Sequence, residues 1–116
     1  MFQWCALFFL FPFAIMGQNS LLVGETDINQ LEAVRIIDVD VRWHAGFFYA
    51  KVDYGQENCR IPYNRCKINT PDGAVMEFAS TVAVINYLEA RGWRLDFVYQ
   101  RGDCEDQEER FLFRKN

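Results

Sequence analysis

Only one stretch of this chain, from Ser80 to Gly92, carries apolar residues at helical spacing, and on both sides of it the pattern falls into alternation. One helix among period-two runs leaves few architectures, because its apolar stripe must be buried against a sheet. Val84, Ile85 and Leu88 share one helical face, with Asn86, Glu89 and Arg91 largely elsewhere. Ser80 is placed to cap the first turn, its hydroxyl accepting from an amide that lacks a partner within the helix. Gly92 stands where a left-handed residue ends one.

Before the helix, Val39, Val41 and Trp43 alternate with Asp38, Asp40 and Arg42. A turn over His44, Ala45 and Gly46 leads to a second run, in which Phe48, Ala50, Val52 and Tyr54 alternate with Phe47, Tyr49, Lys51 and Asp53 up to Gly55. The pair predicts a β-hairpin. After the helix, Trp93, Leu95, Phe97 and Tyr99 alternate with Arg94, Asp96, Val98 and Gln100. A final strand carries Phe111 and Phe113 between Arg110, Leu112 and Arg114, and the acidic segment from Gly102 to Glu109 joins the two. The expected fold is therefore α+β and two-layered, an antiparallel sheet of about four strands in ββαββ order with the helix on one face.

Residues 18–30 show no sustained period and read as an approach segment, while Gln56 to Gly73 form a long connection that can hold a short strand and ends in the turn signal Pro71-Asp72-Gly73. Met1 to Met16 is an uncharged apolar stretch interrupted by Pro12. A spanning helix needs about 20 apolar residues, so residues 1–17 are expected to be a signal peptide, with an uncleaved anchor as the alternative because no Lys or Arg lies near Met1. Residues 18–116 then make a single domain, with an exported destination: periplasm, cell envelope or extracellular space. Every charged residue lies after the leader, so the net charge of −4 belongs to that domain and opposes nonspecific binding to nucleic acid or anionic lipid. Membrane contact is expected only through the N-terminal segment, if it is retained.

An oxidising compartment gives the cysteines a role. Cys59 and Cys66, flanking Pro62, are the first choice for a disulfide, and Cys104 with either partner stays open. The spacing fits no zinc pattern, and the single histidine, His44, is remote from the cysteines, so no metal and no cofactor are expected.

The run Ser80-Thr-Val-Ala-Val-Ile-Asn-Tyr-Leu-Glu-Ala-Arg-Gly-Trp-Arg-Leu, with the closing Arg110-Phe-Leu-Phe-Arg-Lys, resembles a group of small exported bacterial proteins of unknown function. Their shared feature is a helix ending in Asn-Tyr-Leu or Asn-Tyr-Met, then Gly-Trp opening a strand. The strand from Tyr49 to Gln56 is similar to an earlier strand of the same group. More distantly, the helix and Gly-Trp strand are similar to a widespread small α+β domain, with Arg94 here in an acidic position. The resemblance implies a fold and an exported location and carries no catalytic residues.

No nucleophile is spaced to use His44 as a general base, and Asp103, Glu105, Asp106, Glu108 and Glu109 lack the spacing of a calcium loop. No catalytic residue is expected. A single helix leaves the second sheet face uncovered. If Phe48, Tyr54, Trp93, Phe97 and Phe111 look toward the helix, then Phe47, Tyr49, Val98 and Leu112 look away from it. Those four are the expected interface of a non-catalytic binding or assembly module, whose partner is a second copy or an envelope protein. The alternative is a small ligand-binding protein or hydrolase with a pocket beside the helix.

Overall fold

The computed structural model describes residues 19–56, 66–102 and 107–116. The expected signal peptide (residues 1–17), Cys59 and Cys104 lie outside them. A small two-stranded sheet, β1 (Leu22–Val23) and β2 (Thr26–Asp27), is followed by a 3-10 turn, Ile28–Gln30. Then come β3 (Ile36–His44), β4 (Phe47–Asp53), the helix α1 (Thr81–Ala90), β5 (Trp93–Arg101) and β6 (Glu108–Lys115). The four long strands form one antiparallel sheet in the order β4-β3-β6-β5, so two sequential hairpins meet along β3 and β6, and α1 packs on one face. The expected ββαββ order and α+β class are what the chain adopts.

Local chemistry sets the helix ends. The Ser80 hydroxyl accepts from the Ala83 amide at 3.0 Å, and Gly92, at φ +93°, turns the chain directly into β5. Val84 and Leu88 are fully buried against a face built from Ile37 and Val39 of β3, Ala50 and Val52 of β4, Trp93 of β5, and Phe111 and Phe113 of β6. Cross-strand register stacks these directly, with Ile37 opposite Phe113 and Val39 opposite both Val52 and Phe111.

The approach segment is more than an approach. Leu21, Val23 and Ile28 are fully or almost fully buried and extend the core beyond the long strands. Part of the connection, Cys66 to Asn69, lies between β4 and β1: Val52 N donates to Cys66 O at 2.7 Å, and Asn69 N donates to Leu22 O at 2.9 Å. The short strand expected in this connection is present as these bridges, which tie the small sheet to the large one.

A polar clasp fixes the segment at its other side. Trp93 is fully buried, and its indole Nε1 donates to Asn29 Oδ1 at 2.7 Å. Asn29 Nδ2 in turn donates to the carbonyls of Asn19 and of Arg91, the latter at 3.0 Å. Arg91 Nε reaches back to Ser20 O at 3.0 Å, while the guanidinium lies over the Tyr87 ring at 3.5 Å. Replacing Asn29 with Ala leaves the buried indole N–H without its acceptor, and a buried donor stranded in this way costs about 1–3 kcal/mol. Chemical denaturation of Asn29→Ala is expected to show that loss; an unchanged midpoint would mean that water replaces the amide at no cost.

The first hairpin closes through a two-residue turn, narrower than the three residues expected, because His44 still pairs with Phe47. Both turn residues take positive φ, Ala45 at 53° and Gly46 at 92°, as a turn matching the twist of the strands requires. For alanine that conformation costs about 1–2 kcal/mol, and asparagine tolerates it better. Ala45→Asn is therefore expected to stabilise the fold by roughly 0.5–1 kcal/mol, read as a higher denaturation midpoint with an unchanged slope.

Candidate functional site

On the sheet face away from α1, the outward residues of three strands form one chain of polar contacts. Asp38 Oδ1 accepts from Arg110 Nε at 3.2 Å, and its Oδ2 accepts from the Tyr99 hydroxyl. Arg110 Nη1 pairs with Glu108 Oε2 at 3.2 Å, Glu108 Oε1 with Arg42 Nη2 at 2.5 Å, and Arg42 Nε with Asp40 Oδ2 at 2.7 Å. Register explains the convergence: Asp40 stands opposite Arg110, Arg110 opposite Tyr99, and Asp38 one pair along on the same face. Asp38, Asp40 and Arg110 are mostly buried within the network, with side chains 17%, 8% and 12% exposed. Burial alone would lower the Arg110 pKa, but the charge and hydrogen bond of Asp38 outweigh it, and the guanidinium is held more firmly protonated. Arg42 is raised in the same direction by its hydrogen bond to Asp40.

Tyr49 and Leu112 lie on this face, and Phe47 at its hairpin end, but they do not converge on one patch. Phe47 is paired with His44, and Lys67 places its ammonium over the Tyr49 ring at 4.2 Å. Leu112 sits between Asp38 and Phe97 as cross-strand neighbours. Val98 is on the other face. The register of β5 against β6 passes from Leu95 opposite Phe113 to Phe97 opposite Leu112, with Asp96 as an extra residue. This β-bulge reverses the alternation from that point. Val98 consequently faces inward opposite Phe111, while Phe97, expected toward the helix, faces outward beside Tyr99, their rings 5.9 Å apart. Asp96 gains a partner from the bulge, since both Nε and Nη2 of Arg114 donate to it, at 3.3 and 3.1 Å. The two arginines that stand opposite each other, Arg94 and Arg114, thus have a carboxylate beside them.

At the end where the hairpins turn, an open cleft of about 300 Å³ is lined by Asp40, Val41, Arg42, Thr81, Glu108 and Phe111, among others. It brings the start of the helix together with charged side chains. His44 stands exposed at the end of β3, and Trp43 beside it is 65% exposed. Of the acidic cluster, Glu108 belongs to the network and Glu109 is exposed on β6, while Asp103, Glu105 and Asp106 lie outside the described residues. Cys66 is buried, and its expected pairing with Cys59 falls outside the described residues. Among the described residues, no group of three His, Cys, Asp or Glu side chains is placed to hold a metal, and no helix is long and apolar enough to cross a membrane.

The network has a consequence for pH. Tyr99 is raised above its ordinary pKa, first by the hydrogen bond it donates to Asp38, then by burial and the carboxylate charge. Because the neutral phenol is the form favoured in the fold, its contribution is complete below about pH 10 and is lost as pH rises through the higher folded value. Tyr99→Phe is expected to cost roughly 0.5–1.5 kcal/mol at neutral pH, and its stability should approach that of the parent above pH ~10. Denaturation midpoints of the two proteins at neutral and alkaline pH test this, and a constant difference would refute it.

Searches against models of known protein families, against curated proteins and against solved structures find no match to this chain.

Proposed function

We propose that this is a small exported, non-catalytic binding or assembly module that acts through the sheet face opposite α1, where it docks an envelope protein or a second copy. The supporting observation is Phe97, 52% exposed on that face, with Tyr99 and Leu112 beside it. Such a group is apolar enough to gain from being covered, and the polar network next to it is already ordered, so docking would require little rearrangement of those side chains. The interface accordingly moves from the four residues expected in sequence to Phe97, Tyr99 and Leu112 at the β5 side, with Val98 removed.

The kinship with small exported bacterial proteins belongs to the same reading. Its support is that Asn86-Tyr87-Leu88 lies in the last turns of α1 and that Gly92-Trp93 opens β5. A ligand-binding or hydrolytic site beside the helix is the alternative reading, and the cleft at Thr81 is a place for it. There the arginine and two of the carboxylates are already paired with one another.

Two measurements test the interface. A photo-crosslinking residue at position 97 in cells is expected to give a discrete adduct, while the same residue at Asn86, exposed on the helix, gives none. Phe97→Ser combined with Leu112→Ser should abolish any dimer seen by sedimentation of the parent protein. A parent that stays monomeric at high concentration and forms no adduct from position 97 would sink the reading.

A further inference from the structure

The large sheet has two edges, and the described chain covers one of them. Along β4 the outer side is taken by the connection: Val52 N donates to Cys66 O at 2.7 Å, Ile68 N to Ala50 O at 3.0 Å, and Phe48 and Phe78 exchange both bonds, at 2.9 and 2.8 Å. At the other edge β5 pairs with β6 alone, and no described backbone group meets its outer side. Native sheets blunt such an edge with lysine, proline or a bulge. The bulge of β5 sits at Asp96, and beyond it Phe97 to Arg101 runs in regular register with neither Lys nor Pro.

Hydrogen-bond parity identifies the groups on that edge. In an antiparallel ladder a residue directs its N–H and C=O to the same neighbour, and alternate residues serve opposite neighbours. Lys115 N donates to Arg35 O at 2.9 Å and Asn116 N to Gly92 O at 3.0 Å, so the odd residues of β6 serve β3 and the even ones serve β5. Leu112, Arg110 and Glu108 stand opposite Phe97, Tyr99 and Arg101, which therefore turn their N–H and C=O groups toward β6. Val98 and Gln100 turn theirs away from the sheet. Side chains at this edge are open on both faces, with Phe97 52% exposed on the face away from α1 and Val98 45% exposed on the helix side.

We propose that β5 pairs antiparallel with β5 of a second copy of this chain, about a two-fold axis beside Tyr99, joining two four-stranded sheets into one. In that register Val98 stands opposite the partner's Gln100 and exchanges both backbone bonds with it, and Gln100 does the same with the partner's Val98. Every outward backbone group from Phe97 to Arg101 then has a partner, and the bulge stays outside the paired stretch. Arg101 stands opposite the partner's Phe97 on the face away from α1, with the partner's Asp96 next along the strand. Charge suits this placement. Arg101 is exposed and makes no hydrogen bond or ion pair with another described residue, while Arg114 donates only to Oδ2 of Asp96, and Oδ1 accepts nothing from the described residues. A guanidinium over an aromatic ring and beside a carboxylate is favourable on both counts. The pairing rests on the sheet-face reading and names its occupant, since the seam runs along Phe97 and Tyr99.

The test combines sedimentation with amide exchange read by NMR. A concentration-dependent dimer is expected, and exchange at the Val98 and Gln100 amides should slow as it forms, while the Phe97, Tyr99 and Arg101 amides are protected at every concentration. Val98→Pro removes one outward N–H without touching the ladder to β6 and should abolish the dimer. Arg101→Glu, at an exposed position, sets a like charge beside the partner's Asp96 and should weaken the dimer roughly tenfold. That variant decides the matter if Val98→Pro does not fold, and an Arg101→Glu dimer as tight as the parent's would overturn the proposal. A dimer whose Val98 and Gln100 amides exchange as they do in the monomer would overturn edge pairing and leave the sheet-face reading standing. So would a monomer that crosslinks from position 97 to a different protein. A monomer that gives no crosslink from position 97 would overturn both.

Discussion

The indole of Trp93 holds this small domain together. It stands where the helix hands the chain to β5, fully buried, and truncation of a buried aromatic of this kind typically costs about 3–5 kcal/mol. Its N–H must find an acceptor in that interior. Asn29 supplies it, and so draws the N-terminal segment onto the end of the helix. Once Asn29 is there, Ile28 and Leu21 are in position to close the core beside Ile68, and the segment between β4 and β1 has neighbours on both sides. A domain of this size has a thin margin of buried apolar surface, so the contribution of this segment matters.

The helix and the long strands were legible because each obeys a local rule. Ser80 and Gly92 mark helix ends by chemistry that does not depend on tertiary context, and the alternation of Val39 to Tyr54 survives intact as a hairpin. Leu21, Val23 and Ile28 were not legible, since two-residue strands and a single 3-10 turn are too short to develop any period. The bulge at Asp96 is hidden for a different reason. Leu95-Asp96-Phe97 alternates perfectly as a string, and only pairing with β6 shows that one residue is surplus. That slip of one position moved Val98 out of the expected interface and Phe97 into it.

The face opposite the helix illustrates the same limit. Asp38, Asp40, Arg42 and Arg110 each read as a residue on a wet strand face, and so they are. What their positions in the sequence could not convey is that β6 lies beside β3, which brings Arg110 between Tyr99 and Asp40 and leaves the four side chains tied together. Individually, exposed ion pairs contribute little, roughly 0–1 kcal/mol. Linked in a chain and partly desolvated, they restrict one another, and the open face is more ordered than its solvent contact suggests.

The two ends of the described chain lie near each other. Asn19 meets Asn29 beside Arg91, and the Asn116 amide donates to Gly92 O at 3.0 Å. Both ends thus leave the domain where the helix finishes, while β3 and β5 run from that end toward the opposite pole, where the two hairpins turn. Any attachment made through either end of the described chain holds the domain by its base and leaves the opposite pole, with the turn of the first hairpin, pointing outward. The orientation of that pole is set by topology alone, whatever the base is fixed to.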